Sequence, residues 1–152
     1  MTIEAIVHRA FANTDPPSSA IFATDEDEGA AEVLGDARWE DIRPEHLRLH
    51  SAAVNFLTPS GFAYFLPAFM IASLSDPGVR DSLLESILPP KADTSRPSFA
   101  AWWRPLSAPQ KQAVIAFVEH CIDEGHLSAT AAVDALKSDC RPNNSLERTC
   151  ER

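Results

Sequence analysis

Residues 62–74 read FAYFLPAFMIASL, and eleven of these thirteen residues are apolar or aromatic. A membrane-spanning helix needs about 20 consecutive apolar residues. This run is shorter, and it is bounded by Ser60-Gly61 on one side and Ser75-Asp76 on the other. It therefore predicts a helix that is apolar on nearly every side because it lies in the protein interior.

Pro67 stands in the middle of this run. A proline inside a helix removes one backbone hydrogen bond and presses on the carbonyl four residues earlier, at a cost of about 3 kcal/mol in an exposed helix. Burial of large apolar side chains, at about 1.5–3 kcal/mol each, can offset that cost. We expect a proline-kinked central helix over about residues 59–75, which starts at Thr58-Pro59 and has the other helices packed around it.

The rest of the sequence shows helical spacing with start and stop signals. Before the central helix, three helices are predicted: residues 3–11 behind Thr2, residues 24–35 between Thr24 and Gly35, and residues 39–57 entered through Pro44. The apolar face of the third consists of Leu49, Ala53, Phe56 and Leu57. The four acids at 25–28 would occupy a first helical turn, where the helix dipole favours negative charge.

After the central helix, three more helices are predicted: one from Asp76-Pro77 to Leu88, one behind the capping box Ser107–Gln110 that ends at Gly125, and a short one after Ser128. Residues 91–98 are expected to form a loop, and no segment alternates as a strand does. We predict an all-α fold, a compact bundle of six to seven short helices in a single domain over residues 1–137. Residues 138–152 have almost no apolar content and are expected to be a disordered tail.

The charge is distributed unevenly. The net charge is −9, and residues 1–41 contribute −8 of it through ten acids and two bases. No cluster of Lys and Arg suited to phosphate neutralisation is present, which argues against binding to nucleic acid or to an anionic membrane. The acidic first third would suit a basic protein partner or simply solubility.

Cysteine use and the N-terminus indicate the compartment. Cys121, Cys140 and Cys150 make an odd number without a C-x-x-C pair, and MTIEAIVHRA is not a secretory signal. We therefore expect a reduced, cytoplasmic protein without a structural disulfide.

Two groups of side chains are candidates for a metal site. His46 and His50 are four residues apart and would share a helix face, and His120 and Asp123 stand near the end of the helix behind Ser107. Neither group contains H-E-x-x-H, and histidine near a helix C-terminus is also favoured by the dipole alone. No cofactor is predicted from these residues.

Other residue types give little sign of catalysis and one sign of binding. G-x-S-x-G and a glycine-rich phosphate loop are both absent from the sequence, and Cys121 falls on an apolar stripe. Trp102-Trp103 beside Arg104 could contact a partner, since aromatic residues and arginine are frequent binding anchors, or could close a core beneath a loop.

Three segments resemble a bacterial domain family of unknown function: WEDI at 39–42, FLTPSGFAYFLPAF at 56–69 and LSAPQKQAVIAFVE at 106–119. The shared pattern is W-x-x-I, then F-L-T-P-x-x-F-x-Y-x-L-P, then L-x-x-x-Q before a closing helix, over roughly residues 3–124. The resemblance implies a soluble, largely helical bacterial domain. It implies no catalytic residue, no cofactor and no partner.

Two functional hypotheses follow from the sequence. The first is a non-enzymatic helical module that binds a partner protein, for which a basic protein is one candidate, through Asp25, Glu26, Asp27 and Glu28 or through Trp102 and Trp103. The second is a small metal-binding protein or metal-dependent enzyme that uses His46, His50, His120 and neighbouring carboxylates such as Asp123.

Overall fold

A computed structural model describes residues 1–18, 34–35, 37–87, 97–126 and 129–139. These residues form seven α-helices and two short 3₁₀ helices and contain no strand, so the all-α prediction is confirmed. The α-helices are α1 (Ile3–Phe11), α2 (Pro44–Arg48), α3 (Pro59–Ser73), α4 (Pro77–Ile87), α5 (Pro97–Trp103), α6 (Ala108–Asp123) and α7 (Thr130–Asp139). The 3₁₀ helices are Trp39–Asp41 and Ser51–Phe56.

The chain divides into two compact units. Unit 1 consists of Met1–Phe11 and Leu88–Arg152, and unit 2 of Ala12–Ile87. The prediction of one domain over residues 1–137 stays a prediction. Most of the predicted helix at 24–35, and residues 140–152 of the predicted tail, lie outside the described residues, whereas residues 138 and 139 are the last two of α7.

Helix α3 is the most deeply buried element of unit 2. Eleven of its fifteen residues are buried, as its sequence predicts, and it packs against α2, α4 and the 3₁₀ helix Trp39–Asp41. Its one tyrosine, Tyr64, accepts a hydrogen bond at its hydroxyl from the backbone N–H of Trp39 at 3.2 Å. Ser73 donates to the carbonyl of Phe69 at 2.6 Å, so this buried hydroxyl is also satisfied. None of the described helices is both long enough and apolar enough to cross a bilayer.

The helix continues through Pro67, and the position of the proline on the helix explains how. Ala63, Ile71 and Leu74 share the face of Pro67, and these three are the less buried residues of the turns around it. The Ala63 carbonyl, which Pro67 deprives of its helical donor, therefore belongs to a residue on the less buried side of the helix.

The predicted helix over residues 39–57 is wrong as a single element, because the chain breaks it twice. Arg43, the residue before Pro44, is extended at φ −96° and ψ 153°, as sterics before a proline favour. The second break is at His50, with φ −129° and ψ 39°. Leu49, expected on the apolar face, is 82% exposed, and Leu47 is buried instead of it. Ala53 is buried, as predicted.

The predicted start of α3 and the predicted start and end of α6 are present in the structure. Thr58 Oγ1 accepts from the Gly61 N–H at 3.1 Å, and Ser107 and Gln110 form both hydrogen bonds of a capping box. Gly125 has φ +102° and closes α6. Its own N–H donates to Ile122 O and the next N–H donates to Cys121 O, and these are the two hydrogen bonds of a Schellman motif.

Unit 1 is organised around α6, which packs against α1 and α7. Residues 97 and 98, expected in a loop, are instead the start of α5. The signals for this helix are present in the sequence: Pro97 suits a first helical position, and Phe99, Trp102 and Trp103 follow at helical spacing.

Asp76 connects two helices of unit 2. Its Oδ1 accepts from the Val79 N–H at 3.1 Å and so caps α4, and its Oδ2 accepts from Arg48 Nε of α2 at 2.8 Å. The Val79 hydrogen bond first, and the Arg48 guanidinium second, lower the pKa of Asp76 below its usual value. Because the Arg48 side chain is 61% exposed, solvent screens the ion pair, and we expect the cap to contribute more.

Three substitutions separate the two roles of Asp76. Asp76→Asn keeps an oxygen for the Val79 N–H but loses the ionic contact, so it should lower the free energy of unfolding less than Asp76→Ala, which loses both. Arg48→Gln should resemble Asp76→Asn. Urea denaturation at neutral pH, followed by circular dichroism, measures all three, and equal losses for the Asn and Ala variants would show that the cap is not the main contribution.

The lowered pKa of Asp76 also determines how the free energy of unfolding changes with pH. The unfolded chain binds the proton near the ordinary value of 3.8, and the folded chain binds it only at lower pH. The stabilisation by Asp76 is therefore fully present above 3.8 and is lost as pH falls through the lowered folded pKa. The stability difference between the wild type and Asp76→Ala should shrink in that range, and a difference that stays constant there would contradict the assignment.

Candidate functional site

The histidines proposed as metal ligands have local structural contacts. His46 Nδ1 accepts a hydrogen bond from the Arg43 N–H at 3.3 Å at the start of α2. This contact occupies one of the two ring nitrogens that could bind a metal. His50 directly precedes the 3₁₀ helix Ser51–Phe56, where its carbonyl accepts from the Ala53 N–H at 2.9 Å.

The second pair of metal candidates lies at the end of α6. His120 Nε2 is 3.8 Å from Glu124 Oε1, a spacing of four residues on one helix, and Asp123 is exposed. Within the described ranges, no group of three or more His, Cys, Asp or Glu side chains is arranged to hold a metal ion. His46 and His50 belong to unit 2, and His120 and Asp123 to unit 1.

Of the two groups proposed to bind a partner, one lies outside the described residues and the other is buried. Asp25, Glu26, Asp27 and Glu28 lie outside the described residues. Trp102 and Trp103, at the end of α5, are only 6% and 0% exposed. In this conformation the indoles offer almost no surface to a partner.

The two tryptophans belong to an aromatic group on α5. Phe99 stacks on Trp103 with ring centroids 5.7 Å apart and an interplanar angle of 26°, and it meets Trp102 edge-on at 5.2 Å. The indoles themselves meet edge-on at 5.8 Å. Such arrangements suit the aromatic quadrupole and hold each ring in a defined orientation.

A lysine completes this group, although the sequence alone did not suggest it. Lys111 in the first turn of α6 is 2% exposed, and its Nζ lies 5.8 Å from the centroid of the Trp103 ring. A cation over an indole face is stabilised by about 0.5–2 kcal/mol, with the larger value where water is excluded. The spacing could have indicated this burial, because Lys111 shares the helix face of Val114, Ile115 and Val118, all buried.

An acid from α7 reaches the same indole. Trp103 Nε1 donates to Asp139 Oδ2 at 2.7 Å, and two residues earlier on α7 Lys137 Nζ donates to Glu119 Oε2 of α6 at 2.9 Å. The sequence predicts Asp139 in the disordered tail, and this is wrong for Asp139, which is helical; no local signal indicates its contact with a residue 36 positions away. We call Phe99, Trp102, Trp103, Lys111 and Asp139 the Trp103 cluster.

The Trp103 cluster brings together an aromatic surface, one ammonium group and one carboxylate. These are the group types that anchor interfaces, where aromatic and cationic side chains contribute most of the binding free energy. In the described conformation they contact one another. The cluster is therefore first a structural link between α5, α6 and α7.

Lys111 provides a test of this structural role. Lys111→Met keeps most of the side-chain volume but removes the ammonium group and its contact with Trp103, so we expect the free energy of unfolding to fall by about 0.5–2 kcal/mol. Lys111→Ala leaves a cavity and loses the contact with Trp103, and should cost about 2–4 kcal/mol. Urea denaturation followed by circular dichroism measures both.

Ile115→Val, a small change on the same buried face, should cost about 0.5–1.5 kcal/mol and serves as the reference for an ordinary core substitution. A Lys111→Met variant as unstable as Lys111→Ala would show that the charge itself holds the cluster together. A Lys111→Ala variant as stable as the wild type would show that the side chain contributes little.

The residues that carried the resemblance noted in the sequence have structural roles. Trp39 and Tyr64 are hydrogen-bonded to each other, Thr58 caps α3 and Gln110 completes the capping box of α6. They account for why the segments at 39–42, 56–69 and 106–119 fold as they do. None of these contacts requires a ligand.

Comparison with known protein families identifies this chain by a family model. The model of a family of unknown function, DUF6714, matches residues 7–138. This range extends through nearly all of α7, so the resemblance reaches further than the roughly 3–124 expected from the sequence motifs. Neither the curated proteins nor the solved structures include a significant match. Because the match covers most of the chain, the protein belongs to the DUF6714 family of unknown function.

Proposed function

We propose that the protein is a non-enzymatic helical interaction module that binds a basic partner protein through its acidic N-terminal third. The observation that carries this proposal is the charge distribution. Residues 1–41 have ten acids against two bases, a net charge of −8 out of −9 for the whole chain. A surface with one sign of charge speeds the encounter with a partner of the opposite sign and disfavours partners of the same sign.

The described acids of this region support the proposal by their exposure. Glu4, Asp15, Glu40 and Asp41 are all exposed. Glu40 Oε1 is 3.8 Å from Arg38 Nε, so this internal ion pair is long, and Glu4 Oε1 lies 4.0 Å from His8 Nε2. Exposed pairs of this kind contribute little to stability, and exchanging them for contacts with a partner would cost little.

We further propose that the protein is bacterial and that this binding takes place in the cytoplasm. The buried free thiol of Cys121 supports the cytoplasmic location, because thiols stay reduced there. A basic protein fits this surface better than a nucleic acid does, because phosphates would be repelled by it.

The proposal predicts that four acids carry much of the affinity. Changing Asp25 and Asp27 to Asn, and Glu26 and Glu28 to Gln, removes four negative charges without altering side-chain size. At about 0.5 kcal/mol for each exposed ion pair, the loss is about 2 kcal/mol, or about 30-fold in Kd. Partners captured from a cell extract are first identified by mass spectrometry, and the Kd of a purified partner is then measured for each variant.

A matched control distinguishes a specific contact from net charge. It removes four exposed acids elsewhere by the same Asp-to-Asn and Glu-to-Gln changes, at Glu85, Asp123, Glu124 and Asp134. We expect this control to bind within a few-fold of the wild type, and we expect wild-type binding to weaken as salt rises. If the first variant keeps the same partners with the same Kd and salt dependence, the acidic surface is not the contact.

A further inference from the structure

Helix α7 is too short to be stable by itself. It has ten residues, and isolated helices below about 12–15 residues are marginal in water because helix nucleation is unfavourable. Its helical state therefore depends on its contacts with the rest of unit 1. An α7 that detaches also unfolds, which makes the helix an element with two states, docked or released.

The apolar contact that docks α7 is small. Val133 and Leu136 are its large buried side chains in the described residues, with Ala129 just before the helix. Helix α6 has seven buried residues, among them Val114, Phe117 and Val118. Since local opening costs least where little apolar surface is buried, α7 is expected to open before α6 does.

Polar contacts at the last turn of α7 complete the docking. Asp139 accepts from Trp103 Nε1 at 2.7 Å, and Lys137 bonds Glu119 at 2.9 Å. A carboxylate at a helix C-terminus opposes the helix dipole, which favours a base there. The position of Asp139 thus weakens α7 as an isolated helix, whereas its hydrogen bond with Trp103 stabilises the docked helix.

We propose that α7 is a releasable strap that covers Trp103. Trp103 is fully buried and Lys111 nearly so, and the last turn of α7 provides the acceptor for the indole N–H. When α7 releases, that N–H loses its acceptor and the side of the Trp103 cluster that it covers becomes accessible. The strap then regulates when the Trp102-Trp103 region can contact a partner. This consequence rests on the proposed interaction function, whereas the opening itself does not.

Hydrogen exchange measured by mass spectrometry tests the opening directly. In the wild type, amides of residues 133–139 should exchange at least about 10-fold faster than those in the middle of α6, because the strap opens without global unfolding. Asp139→Ala should accelerate exchange in α7 by about another 10-fold, the value expected for loss of one hydrogen bond to a charged group. Exchange in α6 and α3 should not change.

Asp134→Ala is the matched control, since it removes the same charge from the same helix at an exposed position. It should leave the exchange of α7 within about 2-fold of the wild type. Lys137→Gln, which breaks only the exposed contact with Glu119, should have an effect between the two. Acrylamide quenching of tryptophan fluorescence should increase for Asp139→Ala and stay unchanged for Asp134→Ala.

Several outcomes would overturn the strap. One is equal protection of α7 and α6 in the wild type, which is measurable even if Asp139→Ala fails to fold. Another is an Asp139→Ala variant in which every helix loses protection to the same extent. These results are independent of the acidic surface, so a failure of the charge-neutralised variant to lose binding would leave the strap standing. An Asp139→Ala variant with faster α7 exchange but unchanged partner affinity would confirm the opening and refute its regulatory use.

Discussion

The burial of α3 is the constraint on which the rest of unit 2 depends. A helix that is apolar on nearly every face can be stable in water only if neighbouring elements cover it, and α2, α4 and the 3₁₀ helix Trp39–Asp41 do so. The same burial makes an interior proline tolerable, because the large apolar side chains around Pro67 offset the lost hydrogen bond. Three hydrogen bonds then fix the neighbours: the Tyr64 hydroxyl accepts from Trp39, and Asp76 accepts from both Val79 of α4 and Arg48.

Local chemistry made much of the fold predictable. The start of α3 at Thr58, the start of α6 at Ser107 and its end at Gly125 follow from hydrogen bonds between residues within four or five positions of each other, which a sequence displays directly. The burial of α3 was also predictable, because composition alone indicates it. The region 39–57 was not, because its apolar spacing suited one helix while Pro44 and the turn at His50 divided it.

The candidate site was less predictable for a physical reason. Lys111 lies over the ring of Trp103 and Asp139 accepts from the indole N–H of the same residue, and Trp103 belongs to a different helix from either. A charged residue in the first turn of a helix and an acid in a polar tail are usually exposed. The average tendencies of these residue types therefore favour solvent around Lys111 and Asp139, whereas both side chains contact Trp103. The stripe of Lys111 with Val114 and Val118 was the one available local signal. This spacing predicts burial of Lys111 only when a lysine is accepted on an apolar helix face, and the long alkyl chain of lysine permits that.

The position of the tryptophans changes how recognition by this chain has to be understood. Residue type favours Trp102 and Trp103 as anchors, yet their burial among Phe99, Lys111 and Asp139 leaves almost none of their surface to solvent. Exposed carboxylates need no rearrangement to meet a partner, so they can govern the first encounter, which long-range electrostatics accelerates. The indoles can contribute only after a structural change, and such a change must overcome the docking contacts before any binding free energy is gained. In the proposed mode of binding, charge acts first and aromatic contact second. Helix α7, whose apolar contact is small and whose last residue opposes its own dipole, is expected to release before α6 does.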